Sequence, residues 1–324
     1  MSMSVKYGLF AVLLMMGSMA AEAMSVGREW KVASPDKKTQ VTVTTHNYWL
    51  LQWGIEHDGV AVLEPSEINI LVDGVFDVFK QGGLGKVTKR EQVRTQFDTP
   101  FYKKAVVKDE YNSMVVSFKN GLGVEFRVYN DGAAYRFIIN RDIVSEVTSE
   151  TAEFRFADDY PAFVPYVNDN RGGERYCYSF ESYYDEQPLS RMFTDSLAIN
   201  PLAVRLPEGK LAVIADMGAV DYPGMFLLKN GSHGMKAAFA PYPTQEVIGG
   251  HARLNLVPTK RADYIAKEVK GALPWRIVLV TEQDKQLLTA NLPQRFGPQC
   301  QITDTSWIRP GKVAWDWWNS TMLT

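Results

Sequence analysis

The residues best suited to chemistry lie in one stretch, "NDNRGGERYCYSFESYYDEQPLSRM", residues 168–192. Glu174, Glu181, Asp185 and Glu186 stand there among Tyr176, Tyr178, Phe180, Tyr183 and Tyr184. Carboxylates can gather a hard divalent cation such as calcium, which takes oxygen ligands, and flat aromatic faces suit sugar rings. The same composition also describes a long hairpin whose tyrosines cover a sheet and whose acids face water. Glu181 is set apart by aromatic residues on both sides. A second constellation is "VAWDWW", with Trp315, Asp316, Trp317 and Trp318. In a strand, alternation puts Trp315 and Trp317 on one face and Asp316 and Trp318 on the other. It reads either as a core strand with a loop-facing acid or as a strand whose end borders a sugar-binding cleft.

Other chemistries find no footing. The four histidines, His46, His57, His233 and His251, have no metal-ligand spacing, and no G-x-S-x-G, phosphate loop or dinucleotide fingerprint occurs. Cys177 and Cys300 form no metal motif; in an exported protein they could pair, but two cysteines fix no framework. A net charge of −2 offers no basic excess for nucleic acid.

The elements that must position these residues are strands. "QVTVTTHN" alternates β-branched residues, and "YWLLQWGIEH" runs into Asp58-Gly59, a hairpin signal. Asn120-Gly121 and Asp131-Gly132 separate further apolar runs, and Pro207-Glu208-Gly209 closes another hairpin. Strands and turns at this spacing predict an antiparallel sandwich. "WRIVLVTEQDKQLLTANLPQRF" predicts a strand and then a short helix with Leu287, Leu288 and Leu292 on one face.

The first residues read as a secretory signal. Lys6 precedes the apolar run "YGLFAVLLMMGSMA", and Ala21-Glu22-Ala23 offers small residues where a signal peptidase inspects. The run falls short of the roughly 20 residues that span a bilayer. Residues 1–23 are therefore expected to be removed, leaving an exported, periplasmic or extracellular chain with no membrane span.

Four stretches together resemble glycoside hydrolase family 97: "FRVYNDGAAYRF" (126–137), "DYPGMFL" (221–227), "LPWRIVLV" (273–280) and "DTSWIRPGKVAWDWWNS" (304–320). The resemblance implies an N-terminal β-super-sandwich over residues 24–290. Residues 291–324 would then be a linker and the first strand of a truncated (β/α)8 barrel. It further implies a calcium-dependent hydrolase of α-linked oligosaccharides, α-glucosidase-like or of the α-galactosidase type that the family also contains, the sugar and the inverting or retaining outcome staying open, with Glu181 lending one calcium ligand and Glu174 as runner-up. Trp315 and Trp317 match the barrel's first strand and border the sugar. The catalytic carboxylates belong to the barrel, so none is assigned here and the chain is expected to be inactive alone. The competing reading is a stand-alone carbohydrate-binding or structural sandwich.

Overall fold

The computed structural model describes residues 27–46, 50–77, 83–99, 102–167, 174–177, 180–249, 255–298 and 300–313. The signal-like segment 1–23 and the tryptophan-rich residues 314–324 lie outside them. In chain order the strands open with β1 (Arg28–Ala33), β2 (Thr39–His46), β3 (Leu50–His57), β4 (Val60–Val72) and β5 (Phe76–Asp77). Next come β6 (Leu84–Asp98), β7 (Val106–Phe118), β8 (Leu122–Tyr129), β9 (Gly132–Ile139), β10 (Ser145–Arg155), β11 (Pro161–Val164), β12 (Asp185–Pro188) and β13 (Leu202–Arg205). The remainder are β14 (Leu211–Met217), β15 (Phe226–Lys229), β16 (Gly234–Ala238), β17 (Pro243–Gly249), β18 (Asn255–Arg261), β19 (Ala266–Val269), β20 (Gly271–Ala272) and β21 (Trp275–Thr281).

Among the described residues these strands form two large antiparallel sheets and one separate hairpin. The first sheet, of nine strands, runs β1-β2-β3-β4-β10-β16-β15, with β5 beside β4 and β19 beside β10. The second, of ten, runs β12-β11-β13-β14-β21-β9-β8-β7-β6, with β20 beside β9; β17 and β18 pair only with each other. The expected sandwich is what forms. In β2 the alternation buries Val41 and Val43 completely while the intervening threonines are partly exposed, as a half-buried strand requires. Trp53 of the first sheet meets Tyr135 of the second edge-on at 4.9 Å, with Phe126 at 6.4 Å.

Local turn chemistry sets the hairpins. Asp58 and Gly59 both take positive φ (51° and 81°) between His57 and Val60, the geometry of a two-residue primed turn. The hairpin expected at Asp131-Gly132 is displaced by one residue: Asn130 and Asp131 form the turn, and Gly132 already pairs with Tyr129. Gly132 is needed for closeness. Its φ is 142°, and a side chain there would collide with the Val278 carbonyl of β21 and with Leu292.

Beyond β21 the chain turns back over the second sheet's outer face. The expected helix is only a 3-10 turn, Asp284–Leu288. Leu287 and Leu288 are 37% and 75% exposed, while Leu292 is fully buried. Leu288 and Leu292, four residues apart, would share a face only in a helix running past Leu288, and the turn stops there. Leu292 and Phe296 pack with Tyr129, Ala134, Trp275 and Ile277 in a second apolar cluster. The sandwich's packing thus continues through Phe296, past residue 290. Tyr102 and Lys104 donate to the carbonyls of Ala290 (3.0 Å) and Thr289 (3.1 Å), fastening this strap.

Candidate functional site

The acidic, tyrosine-rich stretch does not act as one cluster. Glu174 precedes a short 3-10 turn, Arg175–Cys177, and is tied down there. Its carboxylate accepts from Arg261 Nη2 at 2.6 Å, the Tyr176 amide at 3.2 Å and Cys177 Sγ at 3.4 Å. Partial burial pushes the Glu174 pKa up, but these three hydrogen bonds outweigh it and hold the carboxyl below its ordinary value. Glu181 lies exposed in the loop before β12 and has no hydrogen-bond or ion-pair partner among the described residues. Asp185 and Glu186 are exposed on β12. Cys177 and Cys300 are both free thiols.

Calcium takes six to eight oxygen ligands. Among the described residues no three His, Cys, Asp or Glu side chains come together to hold a metal ion. These residues do not make a calcium cage, although Glu181, uncommitted, is open to serve as a single ligand. Trp315 and Trp317 lie outside the described residues.

What the fold does bring together is a buried charge network on the inner faces. Arg276 of β21, fully buried, donates from Nε and Nη2 to the two oxygens of Glu150 on β10, both at 2.7 Å. Tyr222 donates to the same carboxylate at 2.6 Å. Asp216 lies 3.6 Å from Arg276 Nη1 and accepts the Met225 amide at 2.9 Å. Burial alone pulls the Arg276 pKa down, but the attraction of Glu150 more than reverses this, leaving the guanidinium charged. A fork matched to a carboxylate is the geometry in which a buried pair is stable. This pair joins the two sheets across the core. Sequence reasoning missed it, yet the signal was visible: one arginine inside the apolar run "LPWRIVLV" must find a partner.

On the outer face, Trp275 lies beneath two guanidinium groups, with Arg136 at 4.3 Å and Arg127 at 4.8 Å from its ring, a cation–π arrangement. Both arginines bond Glu125. Phe296 reaches the same tryptophan at 4.7 Å. Three of the four stretches that carry the resemblance therefore meet in space: Arg127, Arg136 and Tyr135 from the first, Tyr222 from the second, Trp275 and Arg276 from the third.

Next to this cluster the outer face is an open apolar groove. Phe163, Ala203, Val213, Ala215, Leu279 and Pro293 line a cavity of about 520 Å³. No helix among the described residues is long and apolar enough to cross a membrane.

The sequence profile described as "Glycosyl-hydrolase 97 N-terminal" matches residues 32–298. A retaining α-galactosidase of Bacteroides thetaiotaomicron is 34% identical over 319 residues, covering 97% of this chain and 47% of that protein. A probable retaining α-galactosidase of Streptomyces bingchenggensis is 24% identical over 329 residues, covering 95% and 44%. This chain spans about half the length of the curated relatives it matches. Among solved structures, a family 97 enzyme of Pseudoalteromonas sp. strain K8 in complex with acarbose superposes with a TM-score of 0.68 at 20% identity, covering 87% of this chain and 40% of that one. A β-arabinopyranosidase gives 0.64 at 22%, covering 79% and 40%. With the profile match over residues 32–298 and a 34% identical relative in agreement, this chain belongs to glycoside hydrolase family 97, as an N-terminal β-sandwich portion.

Proposed function

We infer that this chain is the N-terminal half of a retaining α-galactosidase-type hydrolase, whose sandwich carries and orients a catalytic domain. Of the two types the resemblance allows, the α-galactosidase is favoured because the two curated relatives described above are named as a retaining and a probable retaining α-galactosidase. Retention calls for two carboxyl groups roughly 5–5.5 Å apart, one acting as nucleophile and one as acid and then base. The half of the relatives that this chain does not match supplies them in this reading, and the sandwich alone is inactive. Glu181 lends a single calcium ligand. The exported location expected from residues 1–23 belongs to the same reading.

One observation carries it. An antiparallel sheet normally turns a polar face outward, whereas on the second sheet's outer face the groove around Phe163, Val213 and Leu279 is apolar. The strap ending at Phe296 lies on this same face, so the chain leaves the sandwich beside the groove. A domain joined there is the occupant that fits.

The test compares this chain with a version extended by the catalytic half of the Bacteroides relative, assayed on an aryl α-galactoside. The extended protein is expected to hydrolyse it with retained anomeric configuration, and Glu181→Gln to weaken its calcium dependence. Turnover by this chain alone overturns the reading, and unchanged calcium affinity removes Glu181 from it.

A further inference from the structure

The arginines stacked on Trp275 open into a cavity of about 360 Å³ on the second sheet's outer face. Arg127, Arg136 and Arg295 line it together with Trp275, Met217 and Phe296, and no acidic side chain among the described residues does. The carboxylates stand behind the arginines. Glu125 accepts from Nε of Arg127 at 2.9 Å and from Nε of Arg136 at 2.8 Å. Asp131 and Asn291 hold Arg295 at 2.8 and 2.9 Å. Asp109 is taken by the hydroxyls of Tyr129 at 2.8 Å and Thr95 at 3.3 Å. We propose that this cavity is a docking socket in which Arg127 and Arg136 receive an aspartate or glutamate side chain of the catalytic half.

The chemistry of the lining selects a carboxylate. A guanidinium carries five N–H donors in one fixed plane, and Glu125 offers a single carboxylate to two of them. Arg127 and Arg136 keep part of their side chains open, 18% and 24% exposed. Their planes are held in place: Arg127 lies 4.5 Å from the Tyr111 ring and 4.8 Å from that of Trp275, and Arg136 lies 4.3 Å from Trp275. Burial draws the Arg127 pKa down, but Glu125 more than offsets this and the guanidinium stays charged. Planar forks, aimed from behind by an acid and steadied by aromatic rings, match the two oxygens of a carboxylate.

Position names the occupant. On β14, Val213 and Ala215 line the apolar groove and Met217 lines this cavity; on β21, Leu279 lines the groove and Trp275 the cavity; on the strap, Pro293 is followed by Phe296. Groove and cavity are therefore one continuous face. Gly297 and Pro298 form part of the cavity wall, so the chain leaves the sandwich at its edge. A domain seated on the groove also covers these arginines. Taking a cation out of water without a partner is strongly unfavourable, and a domain that fits must bring an acid to this spot. The inference rests on the reading that a catalytic half covers this face, and it names the charged contact that orients it.

Malonate is the probe for the empty-handed socket of this chain. In an NMR titration it is expected to shift the Nε–H signals of Arg127 and Arg136 saturably, while neutral malonamide shifts neither. In the protein extended by the catalytic half of the Bacteroides relative, malonate should leave both signals in place, because a carboxylate already fills the socket. Arg136→Gln should lower the melting temperature of the extended protein by about 3 °C or more beyond its effect on this chain alone. A role confined to the sandwich gives equal losses in both. Malonate shifting neither signal in this chain, malonate shifting them in the extended protein as well, or equal losses from Arg136→Gln overturns the proposal. If the extended protein hydrolyses the α-galactoside while those losses are equal, the socket fails and the proposed function stands. If the extended protein is inactive while malonate is shut out and the extra loss is seen, the socket stands and the α-galactosidase reading fails.

Discussion

Replacing Arg276 by methionine should be the most damaging single change in the core. The variant removes two charge-assisted hydrogen bonds of 2.7 Å and leaves the Glu150 carboxylate buried, with only the Tyr222 hydroxyl for company. Hydrogen bonds to charged groups contribute about 1.5–3 kcal/mol each, so two amount to about 3–6 kcal/mol. Breaking a buried ion pair by removing one partner costs about 3–5 kcal/mol, which agrees. At about 2–4 °C per kcal/mol for a domain near this size, the melting temperature should fall by about 10 °C or more. The double variant Glu150→Leu/Arg276→Met should recover at least half the loss, since both desolvation penalties vanish together. Urea unfolding of the two single variants and the double variant forms the complete cycle. A cost below about 1 kcal/mol for Arg276→Met, or a double variant no better than the single, would refute the account of this network as a buried inter-sheet pair.

Tyr129, Tyr135 and Tyr222 are held above their ordinary pKa, chiefly by burial and then by Asp109 or Glu150. Their raised values contribute stability that is complete below the unfolded value of 10.0 and is lost as pH rises beyond it. Ultraviolet titration should show these phenols ionising together with alkaline unfolding; stepwise ionisation in the folded protein would contradict this. Leu292→Ala should cost about 2–5 kcal/mol, as for any buried leucine, measured by denaturant unfolding; a neutral result would remove the strap from the sandwich's core. Burial, and then the Glu174 carboxylate, push the Cys177 thiol up. Glu174→Gln should therefore speed its alkylation near about pH 8, read by mass spectrometry against Cys300, and an unchanged rate would argue against the contact.

The sandwich was legible because its determinants are local. Asp58-Gly59 makes a primed turn from its own two residues, and Val41 and Val43 mark a face by alternation alone. Where a neighbour intrudes, local reading slips: Gly132 looked like a turn residue but is spent on the approach of β21, and the turn moved to Asn130-Asp131. Leu287 and Leu288 looked like a helix face because apolarity was read without the sheet beneath, which takes only Leu292. Glu150 and Arg276 are 126 residues apart, so neither announces the other. Glu174 illustrates the same limit at the candidate site. Its type and place matched a metal ligand, but only the structure shows Arg261 already holding it.

The position of β21 also has a consequence for how the protein is made. The second sheet consists of an early meander, β6 to β9, and a later group, β11 to β14, and β21 is the strand that joins them, pairing with β14 on one side and β9 on the other. As the chain emerges from the ribosome, β9 is complete more than a hundred residues before its partner. Until then both inner edges stay open, each a template for stray pairing with another nascent chain. A premature stop between Met217 and Trp275 would release a protein with most of its strands and two exposed seams. Closing the second sheet therefore waits on the seven residues from Trp275 to Thr281.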